Sequence, residues 1–141
     1  MNIDCVIIGI NTEKTIEQCI RNLLASHYSR GTVNIYYVDG GSTDQSIRKA
    51  QAFDGVNVIA LNPRYPTPGL GRNKGWKAGT SPLVQFLDSD AMVHPQWLNT
   101  AVDALMEDDT VGAVRGNRYE LYPLASVFNW IGDMEWNAAP G

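Results

Sequence analysis

Leu83-Val84-Gln85-Phe86-Leu87-Asp88-Ser89-Asp90 is a short apolar run that ends on two carboxylates. The run reads as a buried strand, and a buried strand closing on charges delivers them to a rim where a ligand can sit. Paired acids can hold a divalent cation, and the cation can hold a diphosphate. On an extended segment the two carboxylates would share one face, about 6.5–7 Å apart by strand rise. At that range they repel by roughly 2–3 kcal/mol at an effective dielectric of 20, a term that a divalent ion reverses in sign. The bland alternative is a helix-capping Asp88 and a solvated turn at Asp90.

Working upstream, Ile3 to Ile10 is almost continuously apolar, as expected of a strand covered on both faces. Thr12 can cap the helix that follows, whose apolar positions Ile16, Cys19, Ile20, Leu23 and Leu24 keep the i, i+3, i+4 spacing. Val33 to Val38 is a second strand, ending at Asp39. Gly40-Gly41 makes a tight turn, and Ser42 with Gln45 matches a capping box for a helix reaching about Ala52. Val56 to Leu61 is a third strand. Asn62 to Gly71, with three prolines and two glycines, is a long loop. Gly71 to Ala78 reads as a short helix with Gly79 as its C-cap.

Downstream of the acids, Pro95 fits the first turn of a helix with Trp97, Leu98, Ala101, Leu105 and Met106 inward. Val111 to Val114 begins a fifth strand. The βαβαβαβαβ order argues an α/β fold, a mostly parallel sheet flanked by helices. Ligands of such sheets bind outside the carboxyl ends of the strands. Asn11 to Glu13, Asp39 to Ser42 and Asp88 to Asp90 converge there.

The 141 residues suit one domain with a sizeable core; 44% are apolar and 18% charged. The net charge of −4 gives no basic field for nucleic acid, so an anionic substrate must be met locally, by a metal or by placed cations. Cys5 falls in a strand pattern and Cys19 on an apolar helix face. They read as buried free thiols, which favours a reducing, cytoplasmic compartment. The N-terminus lacks a signal-peptide pattern, and no window nears 18 consecutive apolar residues, so no membrane span is expected.

Individual residues admit two uses. Asp39, between a strand and a glycine pair, can accept from a base imide or a ribose hydroxyl, or it can satisfy the turn's own amides. Arg72 and Lys74 sit near a helix start after a glycine-rich loop, where anions are attracted. Lys74 reads as solvated. His94 can serve as a further metal ligand or simply open a helix with Pro95. In the tail Tyr122 to Trp136, Val127, Trp130, Ile131 and Met134 recur at helical spacing. This stripe predicts self-association through 122–136.

Four pieces in order resemble the family 2 glycosyltransferases, enzymes of the GT-A (Rossmann-like) fold that use nucleotide sugars. They are Val6-Ile7-Ile8-Gly9-Ile10-Asn11-Thr12-Glu13, Val38-Asp39-Gly40-Gly41-Ser42-Thr43-Asp44, Gly71-Arg72-Asn73-Lys74-Gly75 and Phe86-Leu87-Asp88-Ser89-Asp90. The resemblance covers roughly residues 3–120. It implies a nucleoside-diphosphate sugar, a UDP sugar above all, as donor, with Mn²⁺ or Mg²⁺ as cofactor. It implies Ile10, Asn11, Glu13, Asp39, Arg72 and Asp88 against the donor, with Asp39 on the base and Arg72 near sugar or phosphates. Asp90, with Asp88, would hold the metal. Two departures stand out: Gly40 replaces a frequent second acid, and no tyrosine near Ile8 to Ile10 is present to stack on the base.

In the family an acceptor-binding half with the catalytic base follows, and the anomeric centre inverts. Residues 1–120 therefore read as the nucleotide-sugar-binding portion and 121–141 as the incomplete start of the acceptor side. The chain would be the amino-terminal portion of a longer enzyme, truncated before its acceptor-binding part, with the catalytic base unassigned. The acceptor, whether sugar, lipid-linked or protein, is not specified, and peripheral association with the inner membrane face is compatible. The alternative is a non-catalytic nucleotide-sugar-binding fragment. A Rossmann dehydrogenase needs G-x-G-x-x-G after strand one and a P-loop needs G-x-x-x-x-G-K-[ST]; neither is present. Haloacid-dehalogenase phosphatases carry their acid pair on the first strand, and sugar-nucleotide synthesis places a G-x-G-x-R loop after it.

Overall fold

β1 (Ile3–Gly9) is the centre of the sheet because its residues tolerate burial on both sides: Cys5, Val6 and Ile7 have no solvent exposure. The computed structural model describes residues 1–136. Asn137 to Gly141, and with them the expected end of the acceptor-side segment, lie outside the described residues. β2 (Val33–Asp39), β3 (Val56–Ala60) and β4 (Leu83–Asp88) complete a four-stranded sheet in the order β3-β2-β1-β4. Every pair is parallel, with Ile8 level with Val38 on one side and with Asp88 on the other. The order reverses beside β1, which makes the carboxyl ends of β1 and β4 the topological switch point.

Alternation along the strands sorts side chains into two faces. α1 (Ile16–Leu24) buries Ile16, Cys19, Ile20 and Leu23. Its Cys19 reaches the carbonyl of Asp88 at 3.9 Å. α3 (Pro68–Ala78) covers the other face, where Val6, Ile8 and Val38 form a core cluster with Tyr36, Ile59 and Leu61 against it. α2 (Ser46–Gln51) packs on β3 and α1.

α3 comes close because of a glycine every fourth residue. A Cβ on Gly71 would meet Ile8 at 3.1 Å, one on Gly75 would meet Val6 at 2.3 Å, and one on Gly79 would meet Asp4 at 2.1 Å. Four helical residues advance about 6 Å and two strand residues about 6.6 Å, so the glycine stripe keeps step with Ile8, Val6 and Asp4. The helix starts earlier than the sequence implied. Thr67 caps it, its Oγ1 accepting from the Leu70 amide at 3.2 Å, with Pro68 at N1. Arg72 therefore lies one turn inside α3 rather than at its start. Gly79 does close the helix, but with φ −86° rather than a left-handed value.

At the far end of the stripe Asp4 is buried. It accepts from Ser81 Oγ at 2.6 Å, Asn34 Nδ2 at 2.8 Å and the Ser81 amide at 2.8 Å. Burial alone would raise its pKa, but these bonds outweigh it and hold the carboxyl below the ordinary 3.8. A depressed folded-state value stabilises the fold above pH 3.8, and that contribution is lost as pH falls through the lower folded value. Asp4→Asn is expected to be less stable than the parent at neutral pH, with the gap narrowing as pH falls below 3.8. Chemical denaturation at stepped pH checks this; a gap independent of pH would contradict it.

Cys5 and Cys19 are free and buried. Burial first, then neighbouring acids (Asp4 at Cys5, Asp90 and Asp88 at Cys19), pushes each thiol up to about 12.

Several expectations fail for local reasons. Thr12 and Ser42 do not cap helices through their side chains. α1 begins at Ile16 and α2 at Ser46; the Ser42 hydroxyl accepts from the Asn11 amide of the other loop, and the Thr12 hydroxyl lies 3.3 Å from Tyr37 OH on β2. β4 is not buried on both faces: it pairs with β1 alone among the described residues, and Val84 and Phe86 are 38% and 39% exposed. Asp90 is not on extended backbone. The Ala91 amide bonds back to the Asp88 carbonyl at 2.9 Å, so the chain turns across Asp88–Ala91.

The described residues divide into two compact units, Met1–Asn99 and a second from Thr100 onward. α4 (Trp97–Glu107) begins in the first, and the second carries α5 (Val127–Trp136). Trp97 is half-buried, its Nε1 donating to Gln85 Oε1 at 2.6 Å. The fifth strand expected at Val111 to Val114 is absent. Asp108 accepts from Thr110 N and Oγ1 at 2.8 and 2.6 Å and sets a turn there. Two valines three residues apart cannot supply period-two alternation. On α5, Val127, Phe128, Trp130, Ile131 and Met134 are all exposed. Among the described residues no helix is long and apolar enough to cross a membrane.

Candidate active site

The loops after β1 and β2 are laced together. Asn11 takes a left-handed φ of 53°, which points its backbone amide at Ser42 Oγ (2.7 Å) while its Oδ1 accepts from the Thr43 amide (2.9 Å). Glu13 accepts from the Gln45 amide at 3.0 Å, and its own amide donates to Asp44 Oδ2 at 3.1 Å. Buried Ser46 joins in, accepting from the Thr12 amide at 2.8 Å and donating to Asp44 at 2.5 Å. Desolvation would raise the Asp44 carboxyl, but the bonds it accepts from the Ser46 hydroxyl and from the Ser46 and Glu13 amides together outweigh it and hold the group below its ordinary range.

Asp39 lies at the foot of this lattice with no solvent exposure. Oδ1 accepts from the amides of Gly41 (2.9 Å) and Ser42 (2.7 Å); Oδ2 accepts from Tyr37 OH (2.9 Å) and Ser42 Oγ (2.5 Å). A carboxylate offers about four lone-pair sites, and four donors occupy them. Gly41 needs its glycine here, at φ +108°. Tyr37, two residues back on the same strand face, is fully buried; burial and then Asp39 push its hydroxyl up to about 12 against a Thr12 bond that lowers it. Tyr37 and Ser46 are the site-shaping residues that sequence reasoning missed. The signal for Tyr37 was its i, i+2 relation to Asp39.

The other face of the sheet holds a different set. Asp88 is level with Ile8 and points toward α3, where Arg72 Nη2 meets its Oδ1 at 2.8 Å. Both side chains are substantially exposed, 40% and 57%. An exposed pair of this kind stabilises by about 0–1 kcal/mol, so a phosphate can replace the carboxylate as Arg72's partner at little cost. The turn after Asp88 is anchored by Ser89, buried between the two acids, whose amide donates to the Ile8 carbonyl at 3.0 Å. It fits because Gly9 has no side chain: a Cβ there would sit 2.4 Å from Ser89 Oγ. Asp90 stands exposed beyond it.

Beside these groups, and on the same face, an apolar pocket of about 140 Å³ is walled by Ile8, Ile10, Val38, Leu61, Pro63 and Leu70. Ile10 is 44% exposed at its lip. The site therefore brings Ile10, Arg72, Asp88 and Asp90 to the switch point. Asn11, Glu13 and Asp39 hold the loops behind it. Lys74 and His94 are exposed; His94 Nδ1 accepts from the Gln96 amide at 3.3 Å, the contact of an ordinary helix start.

No cluster of three His, Cys, Asp or Glu side chains suited to a metal is present among the described residues. Mg²⁺ and Mn²⁺ do not require one: one or two carboxylates plus substrate phosphates and waters complete the shell. Asp88, paired with Arg72, and Asp90, exposed two residues further along the chain, are of the donor type such a shell takes.

A parallel α/β sheet with an apolar pocket, a basic residue and an acid-ended β4 at its switch point defines the GT-A class of fold. The chain belongs to glycosyl transferase family 2, whose model matches residues 4–130. It is 27% identical over 123 residues to glycosyltransferase AglE of Haloferax volcanii, covering 84% of this chain and 40% of that protein. It is likewise 27% identical over 124 residues to poly(ribitol-phosphate) beta-glucosyltransferase of Bacillus spizizenii, covering 82% of this chain and 19% of that protein. Among solved structures, TarS 1–349 of S. aureus in complex with UDP-GlcNAc shares the fold, with TM-score 0.67 and 22% identity over 89% of this chain and 42% of that one. Glucosyl-3-phosphoglycerate synthase from Mycobacterium tuberculosis, in complex with Mn²⁺, UDP and phosphoglyceric acid, aligns with TM-score 0.63 and 28% identity over 78% of this chain and 40% of that one.

Proposed function

We propose that the chain is the donor-binding portion of a glycosyltransferase that takes a nucleoside-diphosphate sugar, with UDP as the nucleotide, and passes the sugar to a hydroxyl acceptor. The observation that carries this is the Arg72–Asp88 pair at the switch point, beside an apolar pocket sized for one ring system. Whole-ligand pockets run to roughly 300–1,000 Å³, so the remaining parts of a nucleotide sugar would extend over the open rim of acids.

In this reading Arg72 exchanges Asp88 for the donor's phosphate oxygens, freeing Asp88 to act with Asp90. The two carboxylates would hold Mn²⁺ or Mg²⁺, which when bound neutralises charge on the leaving diphosphate. Asn11, Glu13 and Asp39 keep the loops after β1 and β2 in register with that rim. Ile10 contributes apolar contact. Residues 1–120 carry the donor half, and the acceptor side begins at 121. The free thiols of Cys5 and Cys19 support a reducing compartment.

Titration calorimetry of the chain with UDP, with and without Mn²⁺, tests the proposal. Binding that strengthens at least tenfold with Mn²⁺ is expected. Binding that ignores the metal, or no binding in either condition, would contradict it.

A further inference from the structure

The strand alternation separates two features that the sequence places side by side. Val38 and Asp39 are consecutive, so they face opposite sides of the sheet. Val38 walls the apolar pocket on the α3 face. Asp39 points the other way with Tyr37, into the buried lattice of Ser42, Thr12 and Ser46.

We infer that the donor's base is seated in the α3-face pocket and is read there by shape, not by the Asp39 carboxylate, so that uracil and cytosine nucleoside diphosphates bind with similar affinity. The inference rests on the nucleotide-sugar reading above and sharpens it.

Three observations carry it. First, the carboxylate has no acceptor site left: its two oxygens take four donors from Tyr37, Gly41 and Ser42. Freeing one for a base imide would leave a buried donor unpaired, at about 1–3 kcal/mol. Second, Thr67 carries the only side-chain heteroatom among the lining residues; its Oγ1 accepts from the Leu70 amide, and a hydroxyl that can rotate to donate or accept favours neither uracil nor cytosine. Third, two amides of lining residues are engaged, Gly40 N with Gly9 O at 2.8 Å and Leu61 N with Asp39 O at 2.9 Å.

Uracil and cytosine have the same ring and nearly the same outline. They differ in hydrogen bonding at N3 and at the exocyclic C4 group. Sites that read such groups by hydrogen bonds discriminate by about 10⁴–10⁵, whereas apolar contacts alone discriminate weakly. A pocket of aliphatic side chains and prolines belongs to the second kind. In this arrangement Asp39 is a positioning residue: it fixes the Gly40–Ser42 turn that forms one side of the pocket.

The test is calorimetry of the chain with UDP and with CDP in Mn²⁺, on the parent and on Asp39→Asn. A UDP-to-CDP affinity ratio below tenfold in the parent is expected, with Asp39→Asn weakening both nucleotides by the same factor and lowering Tm. A preference of tenfold or more for UDP, or a variant that loses UDP binding while keeping CDP binding, would overturn the inference. The parent ratio stands by itself where Asp39→Asn does not fold. Failure of both nucleotides to bind would remove the nucleotide-sugar reading itself, a result distinct from strong preference for one base.

Discussion

Asp90→Asn is expected to make UDP binding indifferent to Mn²⁺ while leaving the fold intact. The side chain is exposed, on a turn that Ser89 anchors through the Ile8 carbonyl. Surface substitutions away from packing shift stability by within about 0.5 kcal/mol, so thermal unfolding should be unchanged. The amide keeps the size of the side chain and removes its charge. With one carboxylate left, and that one opposite Arg72, the metal-dependent gain in affinity should fall at least about tenfold, or ~1.4 kcal/mol. Calorimetry with and without Mn²⁺ measures the gain directly. An undiminished gain would remove Asp90 from the metal-holding role and leave Asp88 and the donor's phosphates as the only ligands in the account.

Gly75→Ala is expected to destabilise the first unit. The new methyl would lie 2.3 Å from a Val6 methyl and 3.0 Å from a methyl of Val38. Both valines are fully or almost fully buried and β-branched, so neither can swing aside. The helix must lift instead. Overpacking of this kind destabilises by about 1–3 kcal/mol, partly offset by the ~1 kcal/mol by which alanine favours a helix over glycine. The net loss is then up to about 2 kcal/mol, which corresponds to a fall of up to roughly 8 °C in Tm. The displacement also carries Arg72 away from Asp88, so UDP affinity should drop with stability. Gly69→Ala, on the same helix with nothing within 4 Å of the new Cβ, is the control and should match or slightly exceed the parent in Tm. Equal behaviour of the two variants would show that the glycine stripe does not set the position of α3.

The four strands and their order along the chain were legible because each is a run of apolar residues bounded by glycine, proline or acid, and such runs have few alternatives. The G-x-x-x-G-x-x-x-G spacing of Gly71, Gly75 and Gly79 was also in plain view, although its match to the two-residue repeat of β1 needs the partner strand to be known. The helix caps were not legible. Ser42 and Gln45 have capping-box spacing, yet Ser42 is taken by Asp39 and Asn11, whose loop lies some thirty residues earlier; local spacing carries no information about such partners. Nor could spacing reveal that the backbone turns after Asp88, since Ser89 is pulled inward by a carbonyl on β1. Asp39 shows the same limit at the site itself. Its place after a strand and before a glycine pair marks it as important, and only the face it points to separates a base contact from a turn brace.

Paramagnetic relaxation by Mn²⁺ in the ¹⁵N-labelled chain with UDP tests the central claim most directly. The account predicts that amides of Asp88 to Ala91, Gly9 to Asn11 and the first turns of α3 near Arg72 broaden at substoichiometric Mn²⁺, while Asn34 and Ser81 at the opposite end of the sheet stay sharp. Broadening centred anywhere else in the chain, or uniform broadening without a centre, would contradict it.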